Sequence, residues 1–159
     1  MTWKPTLCLD FDGVIHSYRR GWQEGRIYDE PPAGTGEMLL RYLAIYSVAI
    51  FSSRSKNLRL RWAMKRYVGK IIEDAAFGYA DLADAAWAAV SGKPADWRPW
   101  TAGDVQEQAR EIAAAIRYPW FKPAATVTID DRALTFTGNW ADFTPEKLRT
   151  FQPWCARRK

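Results

Sequence analysis

The sequence predicts an α/β fold, with short apolar strands alternating with helices around a mainly parallel sheet, in three layers. Three observations carry this. Thr6–Asp10 (TLCLD) is a short apolar run bounded by Pro5 and Gly13, as a central strand is. Ser47–Phe51 (SVAIF) and Thr126–Ile129 (TVTI) repeat the same character far along the chain. The stretches between them carry apolar residues at helical spacing. With 159 residues, 48% of them hydrophobic, the chain has the size and core content of one domain, spanning 1–159.

The elements follow in order. After the first strand, Ile15–Pro32 is polar, aromatic and glycine-bearing, a loop or a small hairpin at the edge of the domain. Gly36–Tyr46 reads as a helix, with Met38, Leu39, Tyr42, Leu43 and Ile45 near helical spacing. Ser47–Phe51 is the second strand. Asn57 can cap a helix to about Val68 whose Leu60, Ala63, Met64 and Tyr67 share a face. Lys70–Glu73 reads as a short strand, and Asp74–Val90, rich in alanine, as helix. Gly92–Thr101 holds Pro94, Pro99 and two tryptophans and reads as a loop. Gly103–Arg117 is a further helix and Thr126–Ile129 a further strand. Ala133–Thr137 reads as a short last strand and Pro145–Phe151 as a helical turn or two. No internal repeat or low-complexity run breaks the pattern.

Composition narrows the functional classes. No apolar segment has the length needed to span a bilayer, and Met1–Lys4 followed by an apolar run ending at Asp10 does not resemble a signal peptide. A cytoplasmic protein without a membrane partner is expected. The two cysteines, Cys8 and Cys155, make neither a disulfide framework nor a zinc site. Nine tryptophans are many for this length and are expected mostly in ring packing. The net charge of +5 suits an anionic partner, although solubility alone also explains it.

The chemistry lies at the strand ends. In open α/β sheets, ligands gather beyond the carboxyl ends of the strands. Three strands here end on polar groups: Asp10 with Asp12, Ser52 with Ser53, and Asp130 with Asp131. If the strands are parallel, these groups meet at one edge. Carboxylates brought together repel and call for a cation, and all-oxygen ligation suits Mg²⁺. Gly13 lets the backbone turn and approach a ligand closely. Taken alone, DxDG after a strand is also an ordinary Asx turn.

DFDGV at Asp10–Val14 resembles the first motif, DxDG[TV], of the haloacid dehalogenase superfamily, whose members are mostly Mg²⁺-dependent phosphatases. VAIFSSR resembles the second motif, a strand ending in Ser or Thr, with Ser52 in place. KPAATVTIDDRA resembles the third and fourth, a lysine followed by proline and then a strand ending in DD. The four occur in order across about residues 6–137, and the combination is similar to small phage and prophage hydrolases of that superfamily.

The resemblance implies a Rossmann-like domain and a set of roles. Asp10 would attack phosphorus, form an aspartyl-phosphate and ligate Mg²⁺. Asp12 would protonate the leaving group and then deprotonate water, its main-chain carbonyl holding the metal. Such an acid needs a raised pKa, which crowded carboxylates can supply. Ser52 would bond a phosphoryl oxygen and Lys122 would neutralise its charge, with Gly13, Ser53 and Arg54 around the same phosphate. Asp131 aligns with the principal acidic metal ligand, and Asp130 would ligate through water or orient Lys122. The two roles are not separable from sequence.

Competing readings concern particular residues. Lys93 rivals Lys122 as the phosphate lysine but lies far upstream of the last motif. His16, the only histidine, reads as a wall residue of the entrance loop. Asp81 and Asp84 share a helical face and read as solvated. The gaps between motifs leave room for little or no cap, with at most a small helical insert at about 74–102. An open site admits a large phosphorylated substrate. Arg54, Lys56, Arg59, Arg61, Lys65, Arg66 and Lys70 fall in one stretch without an acid, either a solvated helix face or a platform for a nucleotide or nucleic-acid end, with Trp22 placed to stack on a base. The tail Arg157–Lys159 adds charge. Two alternatives share the fold: a non-catalytic Mg²⁺- and phosphate-binding module, and a phosphotransferase. No GxxxxGK[ST] loop is present to support a kinase.

Overall fold

The computed structural model describes residues 3–94, 101–135 and 137–153. At its centre is β1 (Thr6–Leu9), flanked by β2 (Ser47–Ile50) and β3 (Val127–Ile129) in the order β2-β1-β3. Both pairings are parallel. Leu9 is opposite Ile50 on one side and Ile129 on the other. The three strands therefore end at one level, and the polar residues after them leave the sheet together. A fourth position extends the sheet beyond β2, where Arg117 bridges to Ala49.

Side-chain alternation along the strands decides what lies on each face. Leu7 and Leu9, with Val48 and Ile50 beside them, join one buried cluster with the helices. That cluster draws Leu39, Leu40 and Leu43 from α1 (Thr35–Ile45), and Met64, Val68, Ile71 and Ile72 from α2 (Leu58–Gly78). It also takes Ala83, Ala86 and Trp87 from α3 (Ala80–Ser91), and Ala109 and Ile112 from α4 (Ala102–Ala114). Cys8 and Ala49, buried and of opposite parity, stand outside it. The fold is thus α/β with a small parallel sheet, and the four long helices of the described residues contribute to one buried cluster with it. The return from Arg117 to β3 runs through 118–126 without a helix.

Local signals account for the element ends. The Asn57 side chain accepts the Leu60 N–H and starts α2 as expected. Thr101 and Asp104 form a reciprocal capping box on α4. Lys4 donates to the carbonyls of Leu43 and Ala89, tying the ends of α1 and α3 to the start of β1.

Several expectations are corrected. Lys70–Glu73 is helix, not strand: Ile71 and Ile72 continue the buried stripe of Met64 and Val68, which runs on to Ala75 and Ala76, and Lys70 pairs with Asp74 one turn on. Of the expected small insert at about 74–102, residues 95–100 lie outside the described residues and the helical part shares the common core. Its first five residues finish α2, and α3 packs on α1 and α4 within the common core. Asp84 is not solvated but buried, accepting from the Gln108 side chain at 2.8 Å, whereas Asp81 is exposed. Among the described residues of Ala133–Thr137 there is no strand, and the chain there is exposed. Ile15–Pro32 is a loop, cross-tied by Ser17 to the Glu30 carbonyl and by Tyr28 to the Gly21 carbonyl. A short α5 (Pro145–Arg149) follows as expected. Within the loop at Gly92–Thr101, residues 95–100 lie outside the described residues, as do Cys155 and the basic tail. Among the described residues no helix is long and apolar enough to cross a membrane.

Ile72 is fully buried where α2 meets the core. Ile72→Ala is expected to lower stability by about 2–5 kcal/mol in urea unfolding, the cost of a cavity in a packed interior. A strand at Lys70–Glu73, with Ile72 at a solvated edge, would make the change nearly silent.

Candidate active site

The site forms where β1 and β3 end side by side. The Asp10 N–H donates to the Ile129 carbonyl at 2.9 Å, carrying the β1–β3 ladder up to the first acid. The chain then folds tightly: Ile15 and His16 both donate their N–H to the Phe11 carbonyl, and Gly13 N–H donates to the His16 carbonyl. Gly13 has φ of 93°, and a Cβ there would fall on the Asp131 carboxylate. Glycine is thus required twice over, by the left-handed backbone and by the approach of a second acid.

Asp10, Asp130 and Asp131 converge. One carboxylate oxygen from each lies within 4.8 Å of the others. The Asp131 side chain is fully buried. Asp130 Oδ1 accepts the Arg132 N–H at 2.8 Å, an Asx turn that holds the loop after β3. Asp10 Oδ1 accepts the Phe11 N–H at 2.7 Å. Burial pushes the Asp10 carboxyl up to about 7, and the charges of Asp130, Asp131 and Asp12 add to that against the Phe11 hydrogen bond. Burial and the neighbouring charges both favour the protonated form of Asp10, and a bound cation would oppose them.

Asp12 meets the opposite surroundings. Arg54 clasps it in a fork, Nε to Oδ2 at 2.7 Å and Nη2 to Oδ1 at 3.0 Å, and the Arg54 side chain is fully buried. Arg54 Nη1 donates to the Gly25 carbonyl. His16, also fully buried, stands on the other side with Nδ1 3.0 Å from Asp12 Oδ1. Its Nε2 faces the N–H groups of Tyr28 and Asp29 at 3.4 and 3.2 Å. Nε2 is therefore the acceptor, and Nδ1 donates to Asp12. Burial alone would raise the Asp12 carboxyl. The hydrogen bonds from His16 and Arg54, with the Arg54 charge, outweigh it and hold the group below its ordinary value. The expected rise thus falls on Asp10 and not on Asp12.

The remaining candidates divide. Ser52 is buried and caps the 3-10 turn Ser53–Lys56, its Oγ accepting the Arg54 N–H at 3.4 Å, so its hydroxyl keeps a hydrogen to donate. Ser53 is exposed at the first position of that turn. Arg54, expected around the phosphate, is turned inward to Asp12 and Gly25 and is not a surface cation. Lys122 is exposed on the segment leading to β3, near enough to bear on the Cys8 thiol together with Asp10 and Asp130. Its rival Lys93 pairs instead with Glu111 on α4 at 3.4 Å. His16 is no wall residue but a buried partner of Asp12, ringed by Phe11, Tyr18, Tyr28 and Tyr67. Arg132 was not singled out from sequence. It lies at the lip, Nε 3.7 Å from Asp131 Oδ2 and its guanidinium over the Tyr18 ring. The signal for it is a cation directly after the paired acids.

No protein-family model, curated protein or solved structure matches this chain.

Breaking the buried pair strands a charge. Arg54→Met is expected to cost about 3–5 kcal/mol in urea unfolding. Combined with Asp12→Asn it should cost clearly less than the two changes summed, whereas simple additivity would show that the pair is not coupled. The pH dependence has a fixed sign. Asp12 sits below its ordinary 3.8 when folded, so its contribution is present above that value and lost as pH falls through its lower folded one. The stability gap between wild type and Asp12→Asn should therefore close below pH 3.8.

Proposed function

We propose that the chain is a Mg²⁺-dependent phosphatase of haloacid dehalogenase type, with a Rossmann-like core, hydrolysing a phosphomonoester through an aspartyl-phosphate on Asp10. The observation that carries this reading is the approach of the Asp10, Asp130 and Asp131 oxygens to within 4.8 Å at the carboxyl edge of a parallel sheet.

The donors fit a hard divalent cation. They are all oxygen, they come from two adjacent strands, and Gly13 leaves the space that Asp131 occupies. Asp10, Asp130 and Asp131 would hold Mg²⁺, joined on the family resemblance by the Asp12 carbonyl. When bound, it would neutralise the cluster and polarise a phosphoryl oxygen.

The chain's own groups then divide the work. Phe11 N–H fixes one Asp10 oxygen and leaves the other for phosphorus. As the Asp10 oxygen bonds to phosphorus, the ester oxygen departs and takes a proton. Water next attacks phosphorus, gives its proton to Asp12, and releases phosphate and a free Asp10 carboxylate. Asp12, held ionised by Arg54 and His16, is ready for the second step. For the first it must already carry a proton. Ser52 and Lys122 are the neutral and cationic donors available to the phosphoryl oxygens, and Arg132 adds charge at the lip.

A second reading has one observation in its favour. Asp12 is so firmly engaged that a site binding Mg²⁺ and phosphate without turnover is also consistent with the contacts. Substrates separate the two. An aryl phosphate, whose leaving group needs little protonation, should be hydrolysed faster than an alkyl phosphate, and chelator should abolish both rates. Mg²⁺ and phosphate bound in calorimetry with no hydrolysis of either would favour the binding module.

Two variants test the roles. Asp10→Asn should abolish turnover with the fold intact, since the amide is a poor nucleophile. Asp12→Asn keeps its carbonyl, so Mg²⁺ affinity should change little while turnover falls by about 10² to 10⁴. Collapsed metal affinity with nearly full turnover would reverse the assignment.

Metal and proton compete at the cluster. The folded Asp10 value of about 7 lies above its ordinary 3.8, so the metal-free protein loses stability as pH rises between them and stays lower above. Added Mg²⁺ should raise the unfolding temperature more at about pH 8 than at about pH 5.5. An equal shift at both would place the cation elsewhere.

A further inference from the structure

Between the loop segment Glu24–Ile27 and the first half of α2 lies an open cleft of about 700 Å³, within the roughly 300–1,000 Å³ of ligand sites. Its lining carries Arg26, Arg59, Arg66 and Lys70 against one acid, Glu24. Arg59, Trp62, Arg66 and Lys70 recur every three or four residues and so share one face of the helix. Lys70 is paired with Asp74, but among the described residues Arg26, Arg59 and Arg66 have no acidic partner. Trp62 is 61% exposed between the cations, with the Arg66 guanidinium over its ring.

The acid-free run of the sequence is thereby divided. Arg54 is buried on Asp12. Arg61 and Lys65 lie over the rings of Trp120 and Tyr118 and do not line the cleft. Arg26, which is outside the run, joins it instead. Gly25 makes the loop's close approach possible, because a Cβ there would strike Leu60. The cleft is also joined to the catalytic turn. The Gly25 carbonyl accepts from the arginine that clasps Asp12. Tyr67 on the inner wall stacks edge-on against Phe11 and His16.

We infer that this cleft holds a single phosphodiester strand, making the substrate of Asp10 a phosphorylated nucleic-acid end. The identity of that end rests on the phosphatase reading; binding of the strand does not. Cations meet the phosphates without regard to sequence. An exposed indole between them takes a base by stacking, which requires an unpaired strand and serves every base. A phosphopeptide of equal charge offers the cations the same partner but has no base for Trp62.

The test uses the full chain with chelator, so that binding is read without turnover. The probe is a fluorescein-labelled, 5′-phosphorylated oligothymidylate, followed by anisotropy across a salt series. Binding is expected at low salt, with a log–log slope of about −0.7 per phosphate neutralised, near −2 for three contacts. The triple variant R26A/R59A/R66A, its circular dichroism unchanged, should bind at least tenfold more weakly with a flattened slope. Trp62→Ala should weaken binding about tenfold. Arg110→Ala, an exposed arginine of α4 outside the cleft, should change nothing. Undiminished affinity in the triple variant overturns the inference, as does a wild type that ignores the strand at low salt. A phosphopeptide bound as tightly, with Trp62→Ala silent, overturns the nucleic-acid assignment. Strand binding without any phosphatase activity would instead defeat the phosphatase reading and leave the cleft assigned.

Discussion

Three carboxylates within 4.8 Å of one another repel, and the arrangement of this end of the molecule follows from how that repulsion is contained. The containment starts in the sheet. Leu9 pairs with Ile129, so the chain cannot continue both strands without setting Asp10 beside Asp130. The turn after β1 then yields the volume in which Asp131 is buried, at Gly13, where a side chain would block it. What the backbone does not offset, a proton on Asp10 or a divalent cation must.

The DFDG turn gives its two acids opposite surroundings. Asp10 is pushed up by burial and then by the carboxylates around it, while Asp12, for all its burial, is held down by a histidine and a buried arginine. Separating two nearby carboxyls in this way is a recurrent means of assigning distinct roles to chemically identical groups. Here it makes Asp12 better prepared to accept a proton from water than to give one to a leaving group. The same arginine bonds the loop carbonyl at Gly25, so the acid, the loop and the floor of the basic cleft are held by one side chain.

Much of this was legible in the sequence where the signal is local. The three strands are short apolar or β-branched runs, and each ends on the polar residues that the sheet brings to one edge. Asn57 announced α2. The misreadings share a non-local cause. Gly69 followed by an Ile71–Ile72 pair looks like a break and a strand, and only the continued burial of Met64, Val68, Ile72 and Ala76 against other helices keeps the segment helical. Arg54 follows Ser52 and reads as a surface cation. Its burial depends on Asp12, 42 residues away in the chain. His16 was visible as the only histidine, but its partners in the loop, Tyr28 and Asp29, become visible only once that loop closes.

The most direct measurement is a rapid acid quench of the protein with an aryl phosphate and Mg²⁺, followed by mass spectrometry of its peptides. The account predicts a phosphoryl adduct on the peptide carrying Asp10, formed and lost at rates that match turnover. Steady hydrolysis with no adduct on that peptide at any time, or an adduct on a different residue that turns over at the catalytic rate, would contradict it.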